Sequence, residues 1–153
     1  MNENDSYFME QALALAKQAL EQGEIPIGAL VVCEGIVIGS GSNITESQFS
    51  QSRHAEICAL EQAGKAKKNW RLEQCTVYVT LEPCLMCMGL ICLSRIERLV
   101  YATSSPLFGY TRDKEDLPPL YTKHIKGISF GVRADESKAL LEHFFKHKRK
   151  GEQ

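Results

Sequence analysis

Thr76-Val77-Tyr78-Val79-Thr80-Leu81-Glu82-Pro83-Cys84-Leu85-Met86-Cys87 continues through an apolar stretch to Ser94 and, after a short polar gap, into Leu99-Val100-Tyr101. Residues 76–80 are β-branched or aromatic at every position, the composition of a strand. Cys84 to Ser94 is apolar and long enough for a short helix, and Leu99-Val100-Tyr101 reads as a second strand. Strand, short helix, strand is a βαβ unit, so the two strands are expected to be parallel with a right-handed crossover.

Working outward from this unit, Phe8, Ala12, Leu15, Ala16, Ala19 and Leu20 recur at helical spacing. Asp5 or Ser6 is the expected cap and Gly23 the stop. Ala29 to Cys33 and Ile36 to Ile38 are β-rich runs split by Glu34-Gly35, a hairpin signal. A polar loop from Ser40 to Arg53 precedes a helix expected from about His54 into Gln62. Thr103 to His124 holds three prolines and no periodicity, which predicts a long loop close to something functional. Ile128, Phe130 and Val132 alternate as a last strand, and a final helix beginning near Asp135 should turn Leu140, Leu141, Phe144 and Phe145 inward. The sum is an α/β fold, with helices in two layers around a mixed five-stranded sheet. Residues 1–153 are expected to form a single domain.

The chain is 44% hydrophobic and 24% charged, with a formal net charge of -1. That balance argues against a protein that coats polyanions generally. No apolar run approaches the ~20 residues of a membrane helix, and the polar Met1 to Asp5 start is not a secretory signal, so a cytoplasmic location is expected. Local basic clusters do occur at Lys65, Lys67, Lys68 and Arg71 and in the tail Lys146-His147-Lys148-Arg149-Lys150. They permit nucleic-acid contact, or are solvated helix ends.

Six cysteines without an export signal favour metal binding over disulfides. Cys33, Cys58, Cys75 and Cys92 have aliphatic neighbours and read as small buried hydrophobes. Cys84 and Cys87 lie three apart, on one helix face, with Pro83 at the expected first helical position. A helix N-terminus favours thiolate, the form a metal needs. Catalytic zinc typically takes three protein ligands and leaves a position for water, whose acidity it raises. His54, opening a helix after a polar loop, is the best third ligand. Glu56 is poorly spaced to chelate with His54 from one helix face, but well placed to overhang the site as a proton carrier. The C-x-x-C alone also suits a redox pair or half a structural zinc site. Paired with His54-Ala55-Glu56, it matches the general signature of zinc-dependent nucleobase deaminases.

Across about Tyr7 to Lys148 the chain resembles the bacterial tRNA-specific adenosine deaminases, of the cytidine-deaminase-like fold. The resemblance rests on Gly23 to Ala29, His54-Ala55-Glu56-Ile57, Tyr78 to Cys87, Ser94-Arg95-Ile96, Ala134-Asp135-Glu136 and Phe144-Phe145. It implies zinc on His54, Cys84 and Cys87, Glu56 as proton shuttle and Asn43 as reader of the target base. It also implies conversion of the wobble adenosine of an anticodon stem-loop to inosine, by a homodimer whose partner chain helps complete the RNA surface. Two stretches depart from the family pattern. Ser50-Gln51-Ser52-Arg53 stands where relatives commonly have Asp-Pro-Thr-Ala, and Ser104 to Gly109 where they commonly have Arg-Asp-x-Lys-x-Gly. Both stretches are candidates for the substrate path.

In the pocket so implied, backbone groups around Ala55 and Pro83 flank the reacting carbon, and Arg53, Arg71 and the last helix offer contacts to flanking phosphates. Phe108 either stacks on a base or pins its own loop. Met9, Met86 and Met88 read as packing. His143 and His147, at i and i+4 with no third ligand nearby in sequence, read as a solvated face. No membrane contact and no nucleotide cofactor is expected. Besides the tRNA deaminase, two readings stay open: a deaminase of free guanine, cytosine or their nucleosides, and a non-catalytic zinc-stabilised interaction domain. The basic last helix disfavours the former, since a free base needs no phosphate contacts. Glu56 disfavours the latter, since a structural site has no use for a proton carrier.

Overall fold

A computed structural model describes the backbone of residues 3–111 and 117–151. Its elements are α1 (Glu3–Glu21), β1 (Gly28–Cys33), β2 (Ile36–Ser42), α2 (Ala55–Lys67), β3 (Cys75–Leu81), α3 (Leu85–Leu93), β4 (Arg98–Thr103), α4 (Pro119–Thr122), β5 (Gly127–Phe130) and α5 (Ala134–Gly151). The strands form one five-stranded sheet in the order β2-β1-β3-β4-β5. β1 pairs antiparallel with β2 and β3, while β3–β4 and β4–β5 are parallel. The expected hairpin and βαβ unit are both present.

The central strands are largely apolar because both faces are covered. Ala29, Val31, Val77, Val79, Leu99 and Tyr101 meet α2 and α3 through Ala59, Leu60, Met88 and Ile91. The intervening Leu30, Val32, Tyr78, Val100 and Ala102 meet Phe8, Met9, Ala12 and Leu13 of α1. Period-2 alternation along the strands therefore sorts the side chains into two cores. Glycine lets α2 lie directly on the hairpin. A Cβ on Gly39 would strike the Ala59 carbonyl and one on Gly41 the Ala55 carbonyl, so this close approach sets the height of the helix start next to His54.

Several local expectations are corrected. Asp5 is not a cap: α1 already begins at Glu3, and Asp5 is a fully buried member of it. Its carboxylate accepts both Arg98 guanidinium nitrogens at 2.6 Å and the Tyr78 hydroxyl at 2.8 Å, tying α1 to β3 and β4. This bidentate pair satisfies a charge that burial alone would penalise. α2 runs five residues past Gln62, to Lys67, and closes on the left-handed Lys68, whose N–H returns to Gly64 and Lys65 carbonyls.

The last strand stops at Phe130, because Gly131 (φ 87°) and Arg133 (φ 55°) turn the chain into α5. Ile128 and Phe130 lie exposed on this edge strand, while Val132 is buried beyond its end. On α5, Leu140, Leu141 and Phe144 are half-buried and Phe145 is exposed. Cys75 and Cys92 are buried as expected, but Cys33 and Cys58 are only half-buried. Met9 and Met88 are core residues, whereas Met86 is exposed. No described helix is long and apolar enough to cross a membrane.

Candidate metal and catalytic site

The carboxyl ends of the parallel strands β3 and β4 are where open α/β sheets place their ligands. Here β3 ends at Leu81 and the chain passes through buried Glu82 and Pro83 into α3. Pro83 is not the first helical residue. Cys84 is the N-cap and Leu85 opens the helix, because Cys84 is still held in an extended bridge to Gly109. His54 is likewise the N-cap of α2 and not its first residue. Neither N-cap side chain caps its own helix. They turn towards each other instead.

His54 Nδ1 lies 3.7 Å from Cys84 Sγ and 3.4 Å from Cys87 Sγ, and the three donor atoms all fall within 4.8 Å of one another. Zinc bonds of about 2.0–2.3 Å in a tetrahedron put neighbouring donors roughly 3.5–3.8 Å apart. The nitrogen-to-sulfur distances thus fit a common ion without rearrangement. Among the described residues, this is the one such group of three metal-binding side chains. His143 and His147 do approach, with ring centroids 4.0 Å apart, but belong to no group of this kind.

The protonation pattern suits a cation. The Cys87 thiol, hydrogen-bonded to Cys84, is the main cause that lowers the Cys84 thiol to about 4, and His54 contributes. Cys87 is held far above the usual thiol range by that same bond, by burial and by Glu56. His54 is raised, chiefly by its bond to Cys84. One thiolate thus forms readily, and a divalent ion would displace the proton left on Cys87 and any proton on the His54 Nδ1 that faces it. Both helix N-termini add positive potential at this point.

Glu56 is the second residue of α2 and is buried beside this trio. Burial pushes its carboxyl up to about 7, opposed by its backbone hydrogen bond, by His54 and by a bond from Cys87. A carboxyl poised near neutrality can both take and give a proton. Asn43 follows β2, buried, with its N–H on the Ile27 carbonyl at 3.1 Å. Ala55, fully buried, is the first residue of α2, and the Pro83 carbonyl accepts the Tyr110 N–H at 2.9 Å.

Other residues singled out in the sequence are engaged with partners of their own. The Arg53 guanidinium is held by Glu61 at 2.9 and 3.0 Å. Arg71 lies over the exposed Trp70 ring, 4.4 Å from its centroid. Of the basic tail, the Arg149 and Lys150 side chains fall outside the described residues.

Sequence reasoning assigns no role to Glu24 and Glu82, yet both carboxylates are buried at the site's two flanking loops. The available signal was an acidic residue close to a buried strand, Glu24 four residues before β1 begins and Glu82 immediately after β3.

Comparison with known proteins agrees with this geometry. Residues 2–103 match the family model of the cytidine and deoxycytidylate deaminase zinc-binding region. A tRNA-specific adenosine deaminase of Buchnera aphidicola subsp. Schizaphis graminum is 42% identical over 148 residues, covering 95% of this chain and 96% of the relative. A solved structure from a study of A-to-I editing by tRNA:A34 deaminases superposes with a TM-score of 0.81 at 37% identity, over 88% of this chain and 99% of that one. The guanine deaminase of Bacillus subtilis gives a TM-score of 0.66 at 31% identity, over 77% and 79% of the two chains. The chain belongs to the cytidine and deoxycytidylate deaminase family, among its tRNA-specific adenosine deaminases.

Proposed function

We propose that this protein is a single-domain cytoplasmic enzyme that hydrolyses the wobble adenosine of a tRNA anticodon to inosine, releasing ammonia. The observation that carries the reading is the convergence of His54, Cys84 and Cys87 at two helix starts, with buried Glu56 beside them. These three residues would hold one zinc, which when bound supplies Lewis-acid activation of water.

The chain's own residues do the rest. Glu56 accepts one proton of the attacking water and delivers it to the ring nitrogen beside C6, then takes the remaining proton from the new C6 hydroxyl and passes it to the amine as the C–N bond breaks and ammonia leaves. A carboxyl near 7 serves both directions of transfer. Asn43 at the start of the preceding loop orients the base edge, and backbone groups around Ala55 and Pro83 bound the pocket. An unpaired loop base reaches such a pocket at low cost, whereas a base within a duplex does not.

A homodimer is supported by α3. Its sequence Leu85 to Leu93 holds no charged residue, and Leu85, Met86 and Leu93 stand exposed, with Leu93 lining one cleft with Leu120 and Tyr121 of α4 and with Arg95 and Lys123. Exposed apolar side chains rimmed by polar ones are what an interface presents, and a second copy presents the same face under two-fold symmetry.

A second reading, deamination of a free purine base, is favoured by the structural likeness to a guanine deaminase. The discriminating first experiment incubates the purified enzyme with unmodified transcripts of its source organism's tRNAs, which still carry the wobble adenosine, and digests the RNA to nucleosides. Inosine is expected in step with loss of adenosine. Transcripts left unchanged after prolonged incubation would refute the tRNA reading.

A further inference from the structure

Two loops frame the site, and each is fastened by one buried carboxylate. The first runs from Asn43 to His54, its ends joined by the Ile44 N–H on the Arg53 carbonyl at 3.0 Å. Glu24 Oε1 accepts the Glu46 N–H at 3.0 Å and Glu24 Oε2 the Ser47 N–H at 2.8 Å. The second loop follows β4 and bridges back to Cys84 through Gly109. Glu82 Oε1 accepts the Ser105 N–H at 3.1 Å, and Oε2 accepts the Thr111 N–H at 3.0 Å and its hydroxyl at 2.6 Å. Gly109 packs so closely on this carboxylate that a Cβ there would collide with it.

Each loop also presents one phenylalanine to solvent. Phe49 is 95% exposed and Phe108 75% exposed. Phe49 moreover sits at φ 51°, a left-handed backbone that bulky residues rarely adopt unless their surroundings impose it. Resting on the tRNA reading above, we propose that Glu24 and Glu82 are positioning residues that hold Phe49 and Phe108 as stacking surfaces for unpaired bases flanking the target. Nucleobases stack on exposed aromatic rings whatever their sequence, and a fixed ring loses less entropy on binding than a mobile one.

A carboxylate suits this task because every one of these partners is a donor. Glutamine offers one accepting oxygen and sets its NH2 against the remaining N–H, so each loop would lose part of its anchor.

The test uses the full-length zinc enzyme and an anticodon stem-loop RNA. Glu24→Gln and Glu82→Gln should keep one zinc per chain, speed amide exchange at 46–47 and 105–111 respectively, and raise KM about tenfold while kcat changes far less. Phe49→Ala should raise KM similarly, and combining it with Glu24→Gln should add little, whereas combining it with Glu82→Gln should multiply the two effects. Phe108→Ala should show the mirror pattern. If the glutamine variants do not fold, the phenylalanine variants and Thr111→Val, which removes one donor to Glu82, carry the same KM test.

An unchanged KM in these variants, unchanged amide exchange, or additive effects within one loop would each overturn the proposal. So would a fall in kcat together with zinc, which would make both carboxylates supports of the metal site only. Failure of the unsubstituted enzyme on the stem-loop would count against the tRNA reading, whereas unaltered exchange in Glu24→Gln and Glu82→Gln would count against the anchoring.

Discussion

Glu56→Ala is expected to keep its zinc and its fold while turnover falls a thousandfold or more. Positioned acid–base groups typically contribute about 10²–10⁴-fold, and Glu56 is proposed to serve more than one proton transfer. Its place on α2 separates this role from coordination, because the metal-binding trio is formed without it. Burial raises its carboxyl to about 7, so the substitution also removes a group that the folded state holds at some cost, and no loss of structure should accompany the loss of rate. Glu56→Gln, nearly isosteric, should be equally inactive. The checks are metal content, far-ultraviolet circular dichroism and single-turnover rate on one preparation. An alanine variant retaining a tenth of wild-type turnover would remove Glu56 from the mechanism, and one lacking zinc would make it part of the metal site.

Cys87→Ala should reduce bound zinc from one per chain to a small fraction, and abolish turnover with it. Cys87 is fully buried and hydrogen-bonded to Cys84, and its sulfur is 3.4 Å from His54 Nδ1. Losing it leaves two donors, too few for a catalytic zinc site. Binding to the folded state alone also stabilises it. A strong chelator should therefore lower the wild-type melting temperature and leave that of Cys87→Ala unmoved. Full zinc occupancy in the variant would strike Cys87 from the ligand set.

The unit from β3 to β4 is legible in sequence because its apolar residues are continuous and its spacing admits one connection. The helix starts are legible only to within two residues. His54 stands one place and Pro83 two places further out than local rules suggest, since the turn of His54 towards the cysteines and the Cys84 bridge to Gly109 are tertiary contacts. Asp5 misleads for the same reason. Its short polar side chain has cap chemistry, yet its partners Tyr78 and Arg98 are 73 and 93 residues away. Glu24 and Glu82 go unread because their partners are mostly backbone N–H groups, which no side-chain pattern announces. The exposed Ile128 and Phe130 follow from β5 being an edge strand. Alternation predicts that their side chains share a face, but not whether anything covers it.

The most direct measurement of the central claim offers one enzyme preparation an anticodon stem-loop with adenosine at the wobble position, free adenosine, free guanine and free cytosine. Release of ammonia and formation of inosine are expected with the stem-loop at rates at least about a hundredfold above any free base or nucleoside, since remote contacts to flanking nucleotides lower the barrier only when they are present. Appreciable deamination of guanine or cytosine with none of the stem-loop would contradict the account. It would place the enzyme among the free-base deaminases that share its zinc site.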